Sequence, residues 1–217
     1  MRTASKLYLF CNIVMKKTPV EVFSDWAKVG KDFGMQLGHK NSVEKMLRFA
    51  TRGLKQFSFI DAGCGNGWVI RDVSKLVECI NATGVDGSLE MIMKAKNVDR
   101  HNSYFCRDLL EWKPKDKVDL VHSMEVFYYF KNPLKLITHI YNNWLQFNSR
   151  LIIGMDFYSE NKASHSWPDK TGVSIMELLP EKTWIEYFKE SGFKNVESWR
   201  IGKSESWEGT LVVTGNK

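Results

Sequence analysis

The side chains best placed to do chemistry in this chain are acids that close short apolar runs. The first, Asp61, follows Phe57 to Ile60 and opens Asp61-Ala62-Gly63-Cys64-Gly65-Asn66-Gly67, after which an amphipathic pattern begins. An apolar run, a glycine loop and a helix, in that order, form the setting in which a glycine fingerprint reads as nucleotide binding. Glycine lets the backbone turn tightly and lets a ligand approach without a Cβ in the way. The spacing here is GxGxG, whereas the dinucleotide fingerprint is GxGxxG. No GxxxxGKS/T occurs, so no Walker lysine awaits a triphosphate. Asp61 stands where an anion would oppose a pyrophosphate but suit a cation. A second acid, Asp86, closes Ala82 to Val85 and precedes Gly87. A carboxylate at that point accepts hydrogen bonds from both hydroxyls of a ribose. Asp86 therefore marks an adenosine ligand without choosing among such ligands.

The stretch Asp61 to Gly67 resembles motif I of the class I S-adenosylmethionine-dependent methyltransferases, and the resemblance runs over roughly residues 55 to 156. S-adenosylmethionine carries a sulfonium and an ammonium and no phosphate, which agrees with Asp61. The resemblance implies S-adenosyl-L-methionine as cofactor and S-adenosyl-L-homocysteine as product. It also implies an α/β fold, a Rossmann-like three-layer sandwich. Its seven-stranded, mainly parallel sheet ends in an antiparallel C-terminal hairpin. Asp61, Gly63, Cys64, Gly65, Gly67, Asp86, Gly87, Asp108, Leu109 and Met124 are the expected cofactor-binding residues. Members of this family commonly use an acid at the position of Asp108 to accept from the adenine amino group.

The elements that must position these residues follow from periodicity. Strands are expected at Phe57 to Ile60, Ala82 to Val85, Tyr104 to Cys106, Val118 to His122 and Arg150 to Met155. Val69, Val73, Leu76, Val77 and Ile80 predict a helix after the glycine loop, and Ser88 and Asn132-Pro133 open two more. Residues 20 to 52 read as a helical cap. Val22, Phe23, Trp26 and Val29 lie at helical spacing, then comes a loop with Gly30, Gly34 and Gly38, then a helix capped at Asn41-Ser42. Residues 20 to 217 form a single domain in this reading, preceded by a flexible extension over 1 to 19. Trp184 and Phe188 mark a last helix, and Phe193 to Ile201 with Thr210 to Thr214 a closing hairpin.

In open parallel sheets ligands bind beyond the carboxyl ends of the strands, where strand order reverses. Ser123 to Tyr128 are therefore expected beside the transferred methyl. Glu125 is placed to orient an acceptor amine, and Glu125, Asp156 and His122 are the candidate bases, with His122 otherwise a core-facing strand residue. A base is needed only where the acceptor must lose a proton early. Phe127 and Tyr128 either wall the sulfonium by cation–π attraction or pack in the core. Trp26 either lines the pocket or packs in the cap, and His39 reads as a solvent-facing or loop-bonding histidine. Residues 156 to 180 lack clear periodicity and are expected to be a lid carrying Tyr158, His165 and Trp167, or else a surface insertion.

A hydrophobic share of 43 % and a charged share of 26 % fit an ordinary globular domain, and no apolar run reaches membrane-spanning length. The four cysteines form no CxxC pair and the five histidines no HxxxH, so no metal is expected. A cytoplasmic location follows from the same cysteine usage. The net charge of +6 permits nucleic acid without a basic block to favour it. No Asn/Asp-Pro-Pro-Tyr/Phe follows the fourth strand and no Pro-Cys occurs, which argues against nucleobase methylation. The acceptor expected is a small molecule methylated on N, O or S. The alternatives are an RNA or protein methyltransferase and a cofactor-binding protein without catalysis.

Overall fold

The computed structural model describes residues 16 to 217. A central seven-stranded sheet consists of β1 (Phe57–Ala62), β2 (Cys79–Asp86), β3 (Ser103–Cys106), β4 (Val118–Met124), β5 (Leu145–Met155), β6 (Lys194–Ile201) and β7 (Thr210–Asn216), in the order β3-β2-β1-β4-β5-β7-β6. The first five strands pair in parallel, while β7 runs antiparallel to both β5 and β6. The chain therefore leaves β1 toward one edge and returns to β4 on the other side. That reversal between β1 and β4 opens a crevice at the strands' carboxyl ends.

Both faces of the sheet are covered, so its central strands are apolar in nearly every position. On one face Ile60, Val121, Leu151 and Ile153 pack with Trp144, Trp184, Phe188 and the stripe Leu136, Ile137 and Ile140 of α5 (Pro133–Asn143). On the other, Phe57, Phe59, Leu120, Ile152 and Val212 meet Val43, Met46 and Ile70. Adjacent residues such as Leu120 and Val121 thus face opposite layers, as the two-residue pleat requires.

Helix α1 (Pro19–Val29) starts at a capping box in which Thr18 and Glu21 bond each other's backbone and side chain. Lys17 makes a parallel bridge to Val173. The first fifteen residues of the expected extension lie outside the described part. Gly30 ends α1 in the left-handed conformation, φ 77°.

Four expectations are corrected. The loop through Gly34 and Gly38 is helical: α2 runs unbroken from Asp32 to Ala50. Asn41 and Ser42 are interior, and the Ser42 hydroxyl meets that of Thr210 at 2.8 Å instead of capping. Each glycine costs a helix only ~1 kcal/mol, which the buried stripe Ser42, Val43, Met46 and Ala50 offsets. The helix after the glycine loop, α3 (Trp68–Val73), is short; Val77 lies fully outside and Ile80 belongs to β2. Parallel pairing of Phe57 with Cys79 draws the chain into the sheet there, lengthening β2. β5 likewise begins at Leu145, five residues before the expected Arg150.

Residues 156 to 180 fold into a 3-10 turn (Lys162–Ser164) and α6 (Trp167–Thr171). They are tied down by bonds from Ser159 N–H to the Leu179 carbonyl and from Glu177 N–H to the Tyr128 carbonyl. α7 (Glu181–Glu190) then covers the sheet before the closing hairpin. Among the described residues no helix is long and apolar enough to cross a membrane.

Candidate functional site

The crevice holds a cavity of about 380 Å³, lined by the strand tips below and by α1 and α2 above. Its floor begins with the glycine loop. Gly63 and Cys64 N–H both donate to the Val85 carbonyl, and Gly65 N–H donates to Asp86 Oδ2 at 2.9 Å. Asp86 Oδ1 accepts from Ser88 N–H, the residue that caps α4 (Leu89–Val98). Asp86 is thus half-buried and fixed by two backbone donors. Its carboxylate retains two lone-pair sites, the number a ribose diol needs. Cys64 lines the cavity, and its burial pushes its thiol well above the ordinary range, so it is not a nucleophile. Gly67 does not line the cavity. A Cβ there would sit 2.6 Å from the Tyr104 ring, which makes it a packing glycine.

Gly87, Asp108, Leu109 and Met124 all line the cavity, as does Arg107 beside them. Asp61 and His122, level with each other on β1 and β4, are joined by a 2.7 Å hydrogen bond at His122 Nδ1. Both are buried, and His122 Nε2 has no partner among the described residues although the histidine lines the cavity. Asp61 sets the imidazole's orientation and leaves Nε2 for a ligand.

Farther along, at the tips of β4 and β5, lie Glu125 and Asp156. Glu125 adopts φ 60°, uncommon for a residue with a side chain, and its N–H donates to the Gly154 carbonyl. Its carboxylate accepts from Tyr128 OH at 2.6 Å and from the Asp156 N–H. Burial first, and the Asp156 carboxylate second, push Glu125 up to about 8. Burial likewise raises the Tyr128 phenol. From above, α2 lowers His39 to 3.4 Å (Nε2 to Oδ2) from Asp156. Burial alone would depress His39, but Asp156 and Glu125 outweigh it and hold it above the ordinary imidazole value. His39 is three-quarters buried or more and lines the cavity, so its solvent-facing reading is corrected. Ligand atoms of His39, Glu125 and Asp156 lie within 4.8 Å of one another.

Glu125→Gln is expected to become progressively more stable than the parent as pH rises. The unfolded carboxyl ionises near 4.5, whereas the folded one keeps its proton to about 8. Over that window the folded state loses stability with rising pH, and a glutamine removes the loss. Melting curves from about pH 5 to 9 should diverge by roughly 10–20 °C at the alkaline end. Parallel curves would show that Glu125 titrates normally.

Of the aromatic residues singled out above, none lines the cavity. Phe127 and Tyr128 are buried in the core, Tyr128 reaching the site only through its hydroxyl. Tyr158 is fully buried, donating to the Gly209 carbonyl and accepting from Arg200. Trp167 stacks on Trp207 at 6.2 Å, and Trp26 packs edge-on to Phe23. The cavity's aromatic surface comes from Phe23, Trp68, Tyr129 and Phe130. Phe23 meets Tyr129 edge-to-face at 5.2 Å, linking the cap to the turn after β4. Sequence reasoning passed over Phe23 in favour of Trp26, one turn along the same helix.

These features describe an α/β domain with an acid-lined crevice at the carboxyl ends of its parallel strands. The methyltransferase-domain family matches residues 35–198, and the chain belongs to it. Its domain is of the class that takes a methyl group from S-adenosylmethionine. A curated relative, malonyl-[acyl-carrier protein] O-methyltransferase 1 of Ilyobacter polytropus, is 26 % identical over 60 % of this chain and 49 % of its own length. The chain spans about half the length of the curated relatives it matches. Among solved structures, a chain of the complex between the Haloferax volcanii Trm112 methyltransferase activator and a methyltransferase superposes with TM-score 0.79. It is 24 % identical, with 89 % of this chain and 96 % of that one covered. The N-methyltransferase NodS of Bradyrhizobium japonicum with S-adenosyl-L-homocysteine gives TM-score 0.66 at 17 % identity, covering 82 % and 86 %.

Proposed function

We propose that this domain methylates a nucleophilic N, O or S of a small molecule enclosed between the cap and the tips of β4 and β5. The observation that carries this reading is the roof. Phe23 of α1 and Met35, Gln36 and His39 of α2 line the same cavity as Asp86 and Glu125. A roof over the acceptor end leaves room for a compact molecule and excludes water from the transfer.

S-adenosylmethionine would supply an electrophilic methyl on sulfur. The residues present fit it: Asp86 has free lone pairs for the ribose, Asp108 lies toward the adenine end, and His122 Nε2 and Asp61 suit the ammonium of its amino-acid part. The chain's own task is then alignment. Methyl transfer gains most from holding the nucleophile close to the methyl in line with the breaking bond.

Incubation of host extract with methyl-labelled S-adenosylmethionine, split into RNA, protein and low-mass fractions, tests the reading. Label is expected in the low-mass fraction. Label confined to RNA or protein would overturn it.

A further inference from the structure

The charges along the strand tips are unevenly matched, and the mismatch falls at the acceptor end. In sheet order the tips carry Asp108 after β3, Asp86 on β2, Asp61 on β1, Glu125 after β4 and Asp156 after β5. If the first three serve the cofactor, as proposed above, Glu125 and Asp156 remain for the acceptor. Glu125 and Asp156 are two buried acids joined by the Asp156 N–H bond, which present one negative charge while Glu125 keeps its proton and two above about pH 8. The basic side chain that reaches them is His39, at 3.4 Å from Asp156. Arg107, the arginine lining the cavity, lies at the β3 end.

Hydrogen-bond accounting points the same way. Asp156 is more than nine-tenths buried, and its Oδ1 has no partner among the described residues. Gln36 Oε1, on the cavity wall one helical turn before His39, is also without one. Buried acceptors left open call for a ligand that brings donors. A carboxylate brings none, a thiol a weak one, an alcohol one and an ammonium up to three. Phe23, Tyr129 and Phe130 add ring faces to the cavity wall, the surface an organic cation prefers. Glu125 holds φ 60° at this very place, backbone strain kept where a side chain must be aimed.

We infer that the methyl acceptor is a small amine, bound in its ammonium form at the carboxylate pair, with Glu125 and His39 on the cavity wall and Asp156 as the positioning residue behind them. The inference rests on the small-molecule reading proposed above. One ammonium proton passes to the carboxylate pair, freeing the nitrogen lone pair. That pair forms the new N–CH3 bond as the methyl–sulfur bond breaks, its electrons staying on sulfur. The N-methylated product leaves as an ammonium, and the carboxyl proton returns to solvent. The groups facing the pair, His39 of α2 and Tyr128 and Tyr129 of the turn after β4, set the pH at which it can take that proton. An anionic acceptor such as a free carboxylate would be repelled here, which separates this site from the activity that the name of the Ilyobacter relative describes.

The test uses carbon-13-methyl S-adenosylmethionine with the full chain and host extract, reading the methyl resonance of the low-mass products. N–CH3, O–CH3 and S–CH3 carbons resonate apart. N–CH3 is expected, and Asp156→Asn should lower its formation at limiting acceptor at least tenfold while S-adenosylhomocysteine affinity stays unchanged. The same loss should move the pH profile of His39→Gln, a shift that a purely structural histidine would not cause. Low-mass label as O–CH3 or S–CH3 overturns the amine assignment and leaves the small-molecule reading standing. Label only in macromolecules overturns the reading beneath it. Transfer abolished by a chelator and restored by Mg2+ or Mn2+ would give the His39–Glu125–Asp156 cluster to a metal ion and overturn the inference as well.

Discussion

Asp86→Asn is expected to weaken S-adenosylhomocysteine binding by roughly 100-fold to 10,000-fold. The Asp86 carboxylate holds Gly65 N–H at 2.9 Å and Ser88 N–H at 2.8 Å, so half of its four acceptor sites organise the pocket before any ligand arrives. The other half are left for the ribose diol of the proposed cofactor, since Asp86 lines the cavity. An asparagine offers one oxygen and one NH2, so donors meet donors on one side whichever way the amide turns. Two charge-assisted hydrogen bonds are lost or inverted, about 1.5–3 kcal/mol each. At ~1.4 kcal/mol per tenfold that gives the range stated. Calorimetric titration measures it directly. Affinity within about threefold of the parent would move the ribose away from β2.

Gly63→Ala should be the most damaging single methyl that can be added to this chain. Gly63 sits at φ 77°, and a Cβ there would overlap Cγ2 of Val126 and lie 3.0 Å from its Cγ1. The left-handed backbone costs an alanine about 1–2 kcal/mol. Overpacking against a β-branched side chain, whose rotamer has little freedom to yield, adds about 1–3 kcal/mol. Gly172→Ala separates the two contributions, because Gly172 has φ 68° and nothing within 4 Å of its would-be Cβ. Thermal or denaturant unfolding should show Gly172→Ala losing only the backbone part. Adding Val126→Ala to Gly63→Ala should recover most of the difference. Equal losses at both glycines would show that Val126 does not confine the loop.

The strand tips were legible from sequence because each announces itself twice, as the end of an apolar run and as an acid or glycine in a polar turn. Asp61, Asp86, Asp108 and Glu125 all reach the cavity for that reason. What was misread lies where a residue's type suggested its role and its phase did not. Gly34 and Gly38 suggested a loop, and that hid a period: Asp32, Met35, Gln36 and His39 fall on one face of α2 and line the cavity, and Val43 and Met46 continue it into the core. Read at 3.6 residues per turn, His39 would have been placed over the site. Tyr158 and Trp167 fall in the expected lid after the fifth strand and Trp26 in the expected cap, and all three are large rings. Large rings bury the most apolar area, and here their packing against Arg200, Trp207 and Phe23 claims them first. Only long-range packing decides that contest, and no local pattern records it.

The two glycines inside α2 also set the order in which the molecule comes apart. A Cβ on Gly34 or Gly38 would touch nothing within 4 Å, so neither glycine is there to make room. Each leaves the helix ~1 kcal/mol weaker than alanine would, and they fall in the half that carries Met35, Gln36 and His39. The other half is anchored by Ser42, Val43, Met46 and Ala50. Amide hydrogens of residues 32 to 40 should therefore exchange with solvent well before those of 42 to 50, through fraying that need not disturb the sheet. On the proposed function, the roof is the least cooperative part of its own helix, and a ligand would enter and leave for the small free energy of unwinding it.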